Sequence, residues 1–428
     1  MSGRRKLAVI GAGIAGLSMA WLARQDFDVT LFEAEDRLGG HADTQRVRVD
    51  GQDISVDTGF IVFNDRNYPN LVGLFDSLGV ASQPSDMSFG VSIGGGAFEY
   101  GGGTLRQLFA QRRNLAKPRF WRMIQDILRF YREAPAVLDS ATDESLGAYL
   151  DRNRHGTAFI EDHLLPMGAA IWSASVSGMR AFPVRHFVRF FRNHGLLSVN
   201  DRPHWRTVSG GSARYVARIG AALDGSVRSG APVRAVIRDG ADIIVATDAD
   251  TARFDQVVLA CHSDQALALL DRPDDAERAV LGAIRFQDNR AVLHTDVGLM
   301  PRRRAVWSSW NYLARDSADH QREVSVTYWM NALQGMETRK PLLVSINPLT
   351  EPDPASVLAT RHYAHPQFDA AAMAAQERLN TIQGNGGVWF AGAWTRFGFH
   401  EDGIASSVAI AKRLGVAIPW AGATRQAA

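Results

Sequence analysis

Cysteine is almost absent. Cys261 is the only one in 428 residues, so no intrachain disulfide can form and stability must come from packed cores. A cytoplasmic location is the expectation, with Cys261 a small buried hydrophobe after a strand at 256–260. Lysine is scarce as well. Of 47 basic residues, only Lys6, Lys117, Lys340 and Lys412 are lysine. No apolar run is long enough to cross a bilayer, and no internal repeat or low-complexity tract appears. No secretory signal is expected, because a few basic residues lead straight into a core strand. His155, His163, His186, His194 and His204 lack ligand spacing with carboxylates or cysteines, so no metal is expected. Neither a nucleophile elbow nor a catalytic carboxylate pair is present, which leaves the chemistry to a bound cofactor. The net charge is only +2, and no nucleic-acid-binding module accompanies the arginines.

What is present begins at the N-terminus. The apolar run Lys6 to Ile10 enters a turn with Gly11, Gly13 and Gly16, followed by an apolar helix and a second strand, Phe27 to Phe32, that ends on Glu33. Gly11 permits the tight turn, Gly13 lets the backbone approach a diphosphate, and Gly16 allows helix to pack on strand. The helix N-terminus offers N–H groups and a partial positive charge to the phosphates. Glu33 can accept hydrogen bonds from ribose hydroxyls. The glycine doublet Gly39-Gly40 suits a backbone passing close to a longer, extended cofactor.

Near the other end, Gly387 to Ala391 reads as a short buried strand. Gly392-Ala-Trp394 follows, then His400-Glu-Asp402-Gly-Ile404 and a small-residue helix over 405–414. A second helix N-terminus is thereby expected at the cofactor, where it would stabilise negative charge on a reduced flavin ring. Two such helix ends, far apart in sequence, fit FAD stretched across one domain. At 428 residues the chain is long enough for two domains. The cofactor domain is assigned to 1–75, 208–290 and 385–420, with Val233 on the strand that supports the adenine end. Residues 76–207 and 291–384 are assigned to a substrate domain, the first part helical and the second strand-rich, with Glu323 to Trp329 alternating at period two. The clusters Gly94 to Gly96 and Gly101 to Gly103 read as loops around a short strand.

The blocks Gly11 to Gly40, Val56 to Phe60, Gly210 to Tyr215 and Gly392 to Ser407 resemble the superfamily of flavin-dependent amine oxidases, protoporphyrinogen oxidases and phytoene desaturases. More narrowly, Asp57 to Asn64, Pro118 to Trp121 and Tyr328 to Asn331 resemble a bacterial NAD/FAD-binding branch similar to flavin desaturases of methyl-branched and furan fatty acid synthesis. The resemblance implies an α/β fold: a Rossmann-like FAD-binding domain of the GR2, amine-oxidase type with an inserted α+β substrate domain. It implies non-covalent FAD held by Gly11, Gly13, Ile14, Ala15, Gly16, Glu33, Ala34, Arg37, Gly39, Gly40, His41, Thr58, Gly59, Phe60, Val233, Gly392, Trp394, Asp402 and Ile404. One departure is His41, where the superfamily usually has arginine after the glycine pair. No cysteine lies near the second block in sequence, so cysteinyl attachment of the flavin is not expected.

For a desaturase, candidates for a flavin-facing base or orienting group are His400, His41, Tyr328 and Asn331, with His400 favoured by its place at the helix start. Tyr328 and Trp329 point to opposite faces of their strand. A flavin amine oxidase, a protoporphyrinogen or carotenoid-type oxidase, and a membrane-associated flavoprotein scaffold are the alternatives. Amine oxidases of the superfamily commonly place a lysine near the flavin, and only Lys340 is available for that. Residues 104–132 add a last feature: eight basic side chains against Asp126, with Phe120, Ile124, Ile127, Leu128 and Tyr131 on one helical stripe. Such a helix, with the cluster Arg302 to Arg304 followed by Trp307 and Trp310, predicts contact with an anionic membrane, on its inner face. The expected partner is a lipid or another hydrophobic small molecule, and no nucleic acid.

Overall fold

Burial on both faces shapes the strand Lys6–Ile10. In the computed structural model, which describes residues 3–140, 144–172, 176–198, 203–316 and 322–422, this strand is the middle of a five-stranded parallel sheet. Its neighbours are Asp28–Phe32 and Gln256–Leu259, flanked in turn by Val227–Arg228 and Val388–Phe390. Leu7 and Val9 face one core and Ala8 and Ile10 the other, so beyond the exposed Lys6 the strand is continuously apolar instead of alternating. Segments far apart in the chain thus meet in one Rossmann-like sheet. The helix Ile14–Ala23 is buried along its whole length, because the helix His400–Arg413 lies against it. Ser407 Oγ donates to Ala15 O across that contact at 2.7 Å. The strand Val233–Asp239 stands apart, in an antiparallel sheet with Asp242–Thr247 and Thr251–Phe254.

A second body forms around a seven-stranded sheet. Its order is Val357–Gln367, Arg285–His294, Leu343–Ile346, Arg322–Trp329, Trp310–Asp316, Phe89–Ile93 and Phe98–Gly101. Only the pair Trp310–Asp316 with Phe89–Ile93 is parallel. Helices Pro118–Glu133, Leu165–Trp172 and Val184–Asn193 share a core with Val91, Ile93 and Tyr312 of this sheet. No helix among the described residues is long and apolar enough to cross a membrane.

Two expectations about the basic helix change. Its inward side is Phe120, Met123 and Phe130, with Ile124, Ile127 and Tyr131 partly buried beside them. Leu128 is not on that stripe; it is 54% exposed, on the side of Trp121, seven residues away and hence two turns along the same face. The apolar stripe therefore packs on the protein core. Arg119 pairs with Asp162 at 2.7 Å and Arg129 with Asp126 at 2.9 Å.

A buried carboxylate joins the two bodies. Asp57 ends the strand Gln52–Asp57 and accepts from Thr44 Oγ1 (2.5 Å), Ser212 N–H (2.9 Å), Ser212 Oγ (2.7 Å) and Gln334 Nε2 (2.9 Å). Its own N–H donates to Gln334 Oε1 at 2.9 Å. Burial pushes its pKa up to about 6, against the Thr44 and Ser212 bonds that favour the ionised form. With the folded value raised, its contribution to stability is fullest in acid and declines as pH rises through about 6. Asp57→Ala leaves several buried donors without a partner and is expected to destabilise by about 3 kcal/mol or more. Urea unfolding of the two proteins measures this, and a loss under about 1 kcal/mol would remove Asp57 from the centre of the contact.

Candidate cofactor and substrate site

The glycines of the first turn have different neighbours. A Cβ on Gly11, whose φ is +100°, would sit 2.9 Å from Ala260 O, and one on Gly16 would sit 1.8 Å from Gly11 O. Gly13 has nothing within 4 Å of that position. It is the N-cap of the helix Ile14–Ala23 and offers no capping side chain, so the first N–H groups of the helix have no intrahelical partner. This uncapped end beside open space fits a diphosphate. A Cβ on Gly40 would meet Gly13 Cα at 3.1 Å, which sets His41 next to the turn. Glu33 is tied to the same turn: Oε2 accepts from Ala12 N–H at 2.7 Å and Oε1 from Glu35 N–H at 3.0 Å. Its remaining lone pairs are available to hydroxyl groups. Arg37 donates to Gly40 O at 2.9 Å and props the glycine doublet, while Ala34 is exposed beside it.

The second helix begins at His400 itself. A Cβ on Gly403 would meet Ile14 Cγ2 at 2.8 Å, so the two helix N-termini converge. Gly392 lies under the indole of Trp394, whose Nε1 donates to Cys261 O at 3.0 Å. Cys261 therefore does lie by the second block, contrary to its distance in sequence, and it is only partly buried. Desolvation pushes its thiol up to about 12, which makes it a poor nucleophile at neutral pH. The two acids at the helix start bond backbone. Glu401 accepts from Leu71 N–H (3.0 Å) and Asn70 Nδ2 (2.6 Å), and Asp402 from Phe399 N–H (3.0 Å) and Phe397 N–H (3.2 Å). Burial pushes Asp402 up to about 7. Ile404 is wholly buried, as Val233 nearly is.

Between these ends stand rings. His400 stacks on Phe60 with centroids 3.6 Å apart, and its Nε2 meets Tyr215 OH at 3.1 Å. Burial lowers its pKa to about 3, so it is neutral at physiological pH. The ring of His41 lies 5.0 Å from Tyr363, 5.4 Å from His365 and 6.3 Å from His262. Asn347 donates to Asn289 Oδ1 at 2.8 Å, so Asn289 Nδ2 is the donor to His365 Nδ1 at 3.1 Å, and the His365 proton belongs on Nε2. Burial lowers all three imidazoles, and for His41 the neighbouring His365, His262, His400 and Arg37 lower it further. Tyr363 OH reaches Asp43 Oδ2 (3.1 Å) and Thr58 Oγ1 (2.8 Å), which holds Thr58 beside Gly59 and Phe60. Among the described residues, no group of His, Cys, Asp or Glu could hold a metal ion.

Tyr328 and Asn331 have other surroundings. Tyr328 is buried in the core with Val326, Met330 and Val344, edge-on to Trp310 at 4.7 Å. Asn331 accepts from Leu342 N–H (2.7 Å) and Trp329 Nε1 (3.1 Å), and donates to Thr338 Oγ1 (2.8 Å) and Met336 O (3.1 Å). That exhausts its amide, which shapes a turn and has no capacity left for a substrate. Sequence reasoning missed Tyr215, His262, Tyr363 and His365. Two of these carried a signal: Tyr215 closes the Gly210 to Tyr215 block, and His262 sits just past a parallel strand, where ligands of such sheets bind.

The family described as flavin containing amine oxidoreductase matches residues 14–294, about two thirds of the chain. The carotenoid phi-ring synthase of Chlorobaculum tepidum is 40% identical over 90 residues, which are 21% of this chain and 14% of that protein. Among solved structures, a CLA-producing fatty acid isomerase from P. acnes has a similar fold, with a TM-score of 0.69 and 15% identity over 96% of this chain and 99% of that one. Cyclohexylamine oxidase from Brevibacterium oxydans is similar too, with a TM-score of 0.65 and 16% identity over 96% of this chain and 100% of that one.

Glu33→Ala removes the brace on Ala12 together with the lone pairs expected to accept from a ribose. Dinucleotide retention is expected to fall about ten- to a hundredfold, equivalent to roughly 1.5 to 3 kcal/mol. Cofactor occupancy after dilution and gel filtration reads this, and unchanged occupancy would take Glu33 away from the ribose.

Proposed function

Because the chain belongs to the family of flavin-containing amine oxidoreductases, we propose that it binds FAD non-covalently and desaturates a hydrophobic substrate, the methyl-branched or monounsaturated acyl chain of a membrane phospholipid. The carrying observation is the chemistry of the ring-lined centre. Phe60, Tyr215 and His400 meet there, with His41, His262, His365 and Tyr363 beside the turn, and none offers a fixed charge to an ammonium substrate. The nearby acids are compensated: Asp43 pairs with Arg361 at 3.0 Å, and Glu401 and Asp402 bond backbone. Lys6 opens the central strand, Lys117 precedes the helix Pro118–Glu133, and Lys412 lies in the last turn of its helix. Lys340 is in an exposed turn and gives its N–H to Asp50. The curated relative named for a carotenoid and the similar fold named for a fatty acid support a hydrophobic substrate.

A bound flavin supplies the acceptor for a hydride. The chain supplies binding and orientation. The helix N-terminus at Ile14 would hold the diphosphate, Glu33 would bind the ribose, and the N-terminus at His400 would stabilise negative charge on the ring. His400, neutral between Phe60 and Tyr215, orients and excludes water without titrating near neutral pH. The protein acts at the cytoplasmic face of the membrane that holds its substrate.

Denaturation is expected to release a yellow cofactor with the mass of FAD. Anaerobic mixing with lipids bearing such chains should bleach the flavin and yield a product lighter by two hydrogens. Longer chains should bind better, since each methylene removed from water gains about 0.8 kcal/mol. Fast bleaching by primary or secondary amines, with every lipid inert, would put an amine oxidase in place of the desaturase. Flavin that no candidate reduces would favour the scaffold.

A further inference from the structure

Exposed large apolar side chains are few among the described residues, and they gather. Leu105, Leu115, Trp121 and Leu128 fall within one short stretch, with Val297 the other. Trp121 Nε1 donates to Leu115 O at 2.9 Å, and the ring of Phe109 stands 5.9 Å from that of Trp121. Two residues before Leu115, Arg113 donates to Gly96 O at 3.2 Å, which brings the segment to the turn 94–97. That turn, with Arg113, Arg302 and Arg303, lines an open depression. Gly95 also lines a second hollow with Gly298, the neighbour of Val297. The chain segments that carry Leu115 and Val297 thus both run to the turn 94–97.

The charges around it are uneven. Arg303 is neutralised by the buried Glu99 at 2.7 Å, and Arg304 lies over the rings of Trp307 and Trp329. Arg106, Arg112, Arg113, Arg122 and Arg302 have no ion pair among the described residues. Glu99 is the only acid between residues 94 and 122. Exposed indole and leucine side chains among uncompensated guanidinium groups match an interface with headgroup phosphates outside and acyl chains beneath.

We propose that this face docks on an anionic phospholipid bilayer, with Leu115 and Trp121 entering the headgroup layer and Arg113 and Arg302 binding lipid phosphates at the depression of residues 94–97. The docking surface differs from the stripe expected from sequence, which is turned inward. It rests on the acyl-lipid reading for its biological sense and deepens it by naming the surface that meets the substrate's membrane. Binding is read without turnover, so each can fail alone.

The flavin-loaded full chain is sedimented with phosphatidylcholine vesicles, with and without phosphatidylglycerol. Binding should require phosphatidylglycerol and weaken as salt rises, since screening sets in beyond about 8 Å at physiological ionic strength. The pair Arg113→Glu and Arg302→Glu should weaken it at least about tenfold, with flavin content and thermal midpoint unchanged. As a second measurement, brominated lipid should quench tryptophan emission, and Trp121→Phe should remove most of the quenching. Equal sedimentation with both vesicles, none with either, or unchanged quenching in Trp121→Phe would overturn the proposal.

Discussion

The site exists because two helices approach more closely than any side chain at residue 403 would allow. A Cβ there would meet Ile14 Cγ2 at 2.8 Å and stand 3.7 Å from Ala15 N. Only with that contact made can the N-termini at Ile14 and His400 face one region. Parallel macrodipoles pointing positive ends at the same space repel each other, and the covalent chain gives no help, since the helices start 386 positions apart. What holds them is burial of the Ile14–Ala23 helix on every side, the Ser407 bond to Ala15 O, and the parallel sheet beneath. An anion at the junction relieves the repulsion. An anion bound there would therefore stabilise the fold.

The same burial decides what the imidazoles do. His41, His262, His365 and His400 would be a strong positive centre if protonated, and desolvation is the main reason they are not. A neutral ring still donates one hydrogen bond and accepts another, and it adds little to the cost of keeping a hydrocarbon nearby. The replacement of a permanent cation by His41 after the glycine doublet follows this logic. It removes a charge from the turn without removing a donor.

Arginine's role divides by depth. Arg303 on Glu99 and Arg238 on Glu277 neutralise carboxylates that are wholly buried, where an unpaired partner would be costly. Arg234 and Arg253 make exposed pairs of small individual value. A count of basic residues cannot separate these classes, because the acid that satisfies each arginine is often remote in sequence: Arg303 and Glu99 are joined only by the fold.

That distinction explains what was legible in the sequence. The glycine turn and the helix at its end were legible because their signal lies within one short stretch: an unbroken apolar run from Leu7 to Ile10, then glycines of which Gly16 packs on Gly11 O five residues back. The acidic cap Glu401 was not legible, since it serves the helix Pro69–Leu78. The helix Pro118–Glu133 shows the limit most directly. Periodicity allows a stripe through Leu128, although Met123 and Phe130 hold the buried positions. A helix with apolar residues on two faces has no unique inward side by periodicity alone. The choice is made by which face the sheet and the neighbouring helices can cover, with Phe120 meeting Tyr100 and Phe98. Once that face is committed, Trp121 and Leu128 remain outside whatever their hydrophobicity. Their exposure is a consequence of tertiary packing that no local pattern contains.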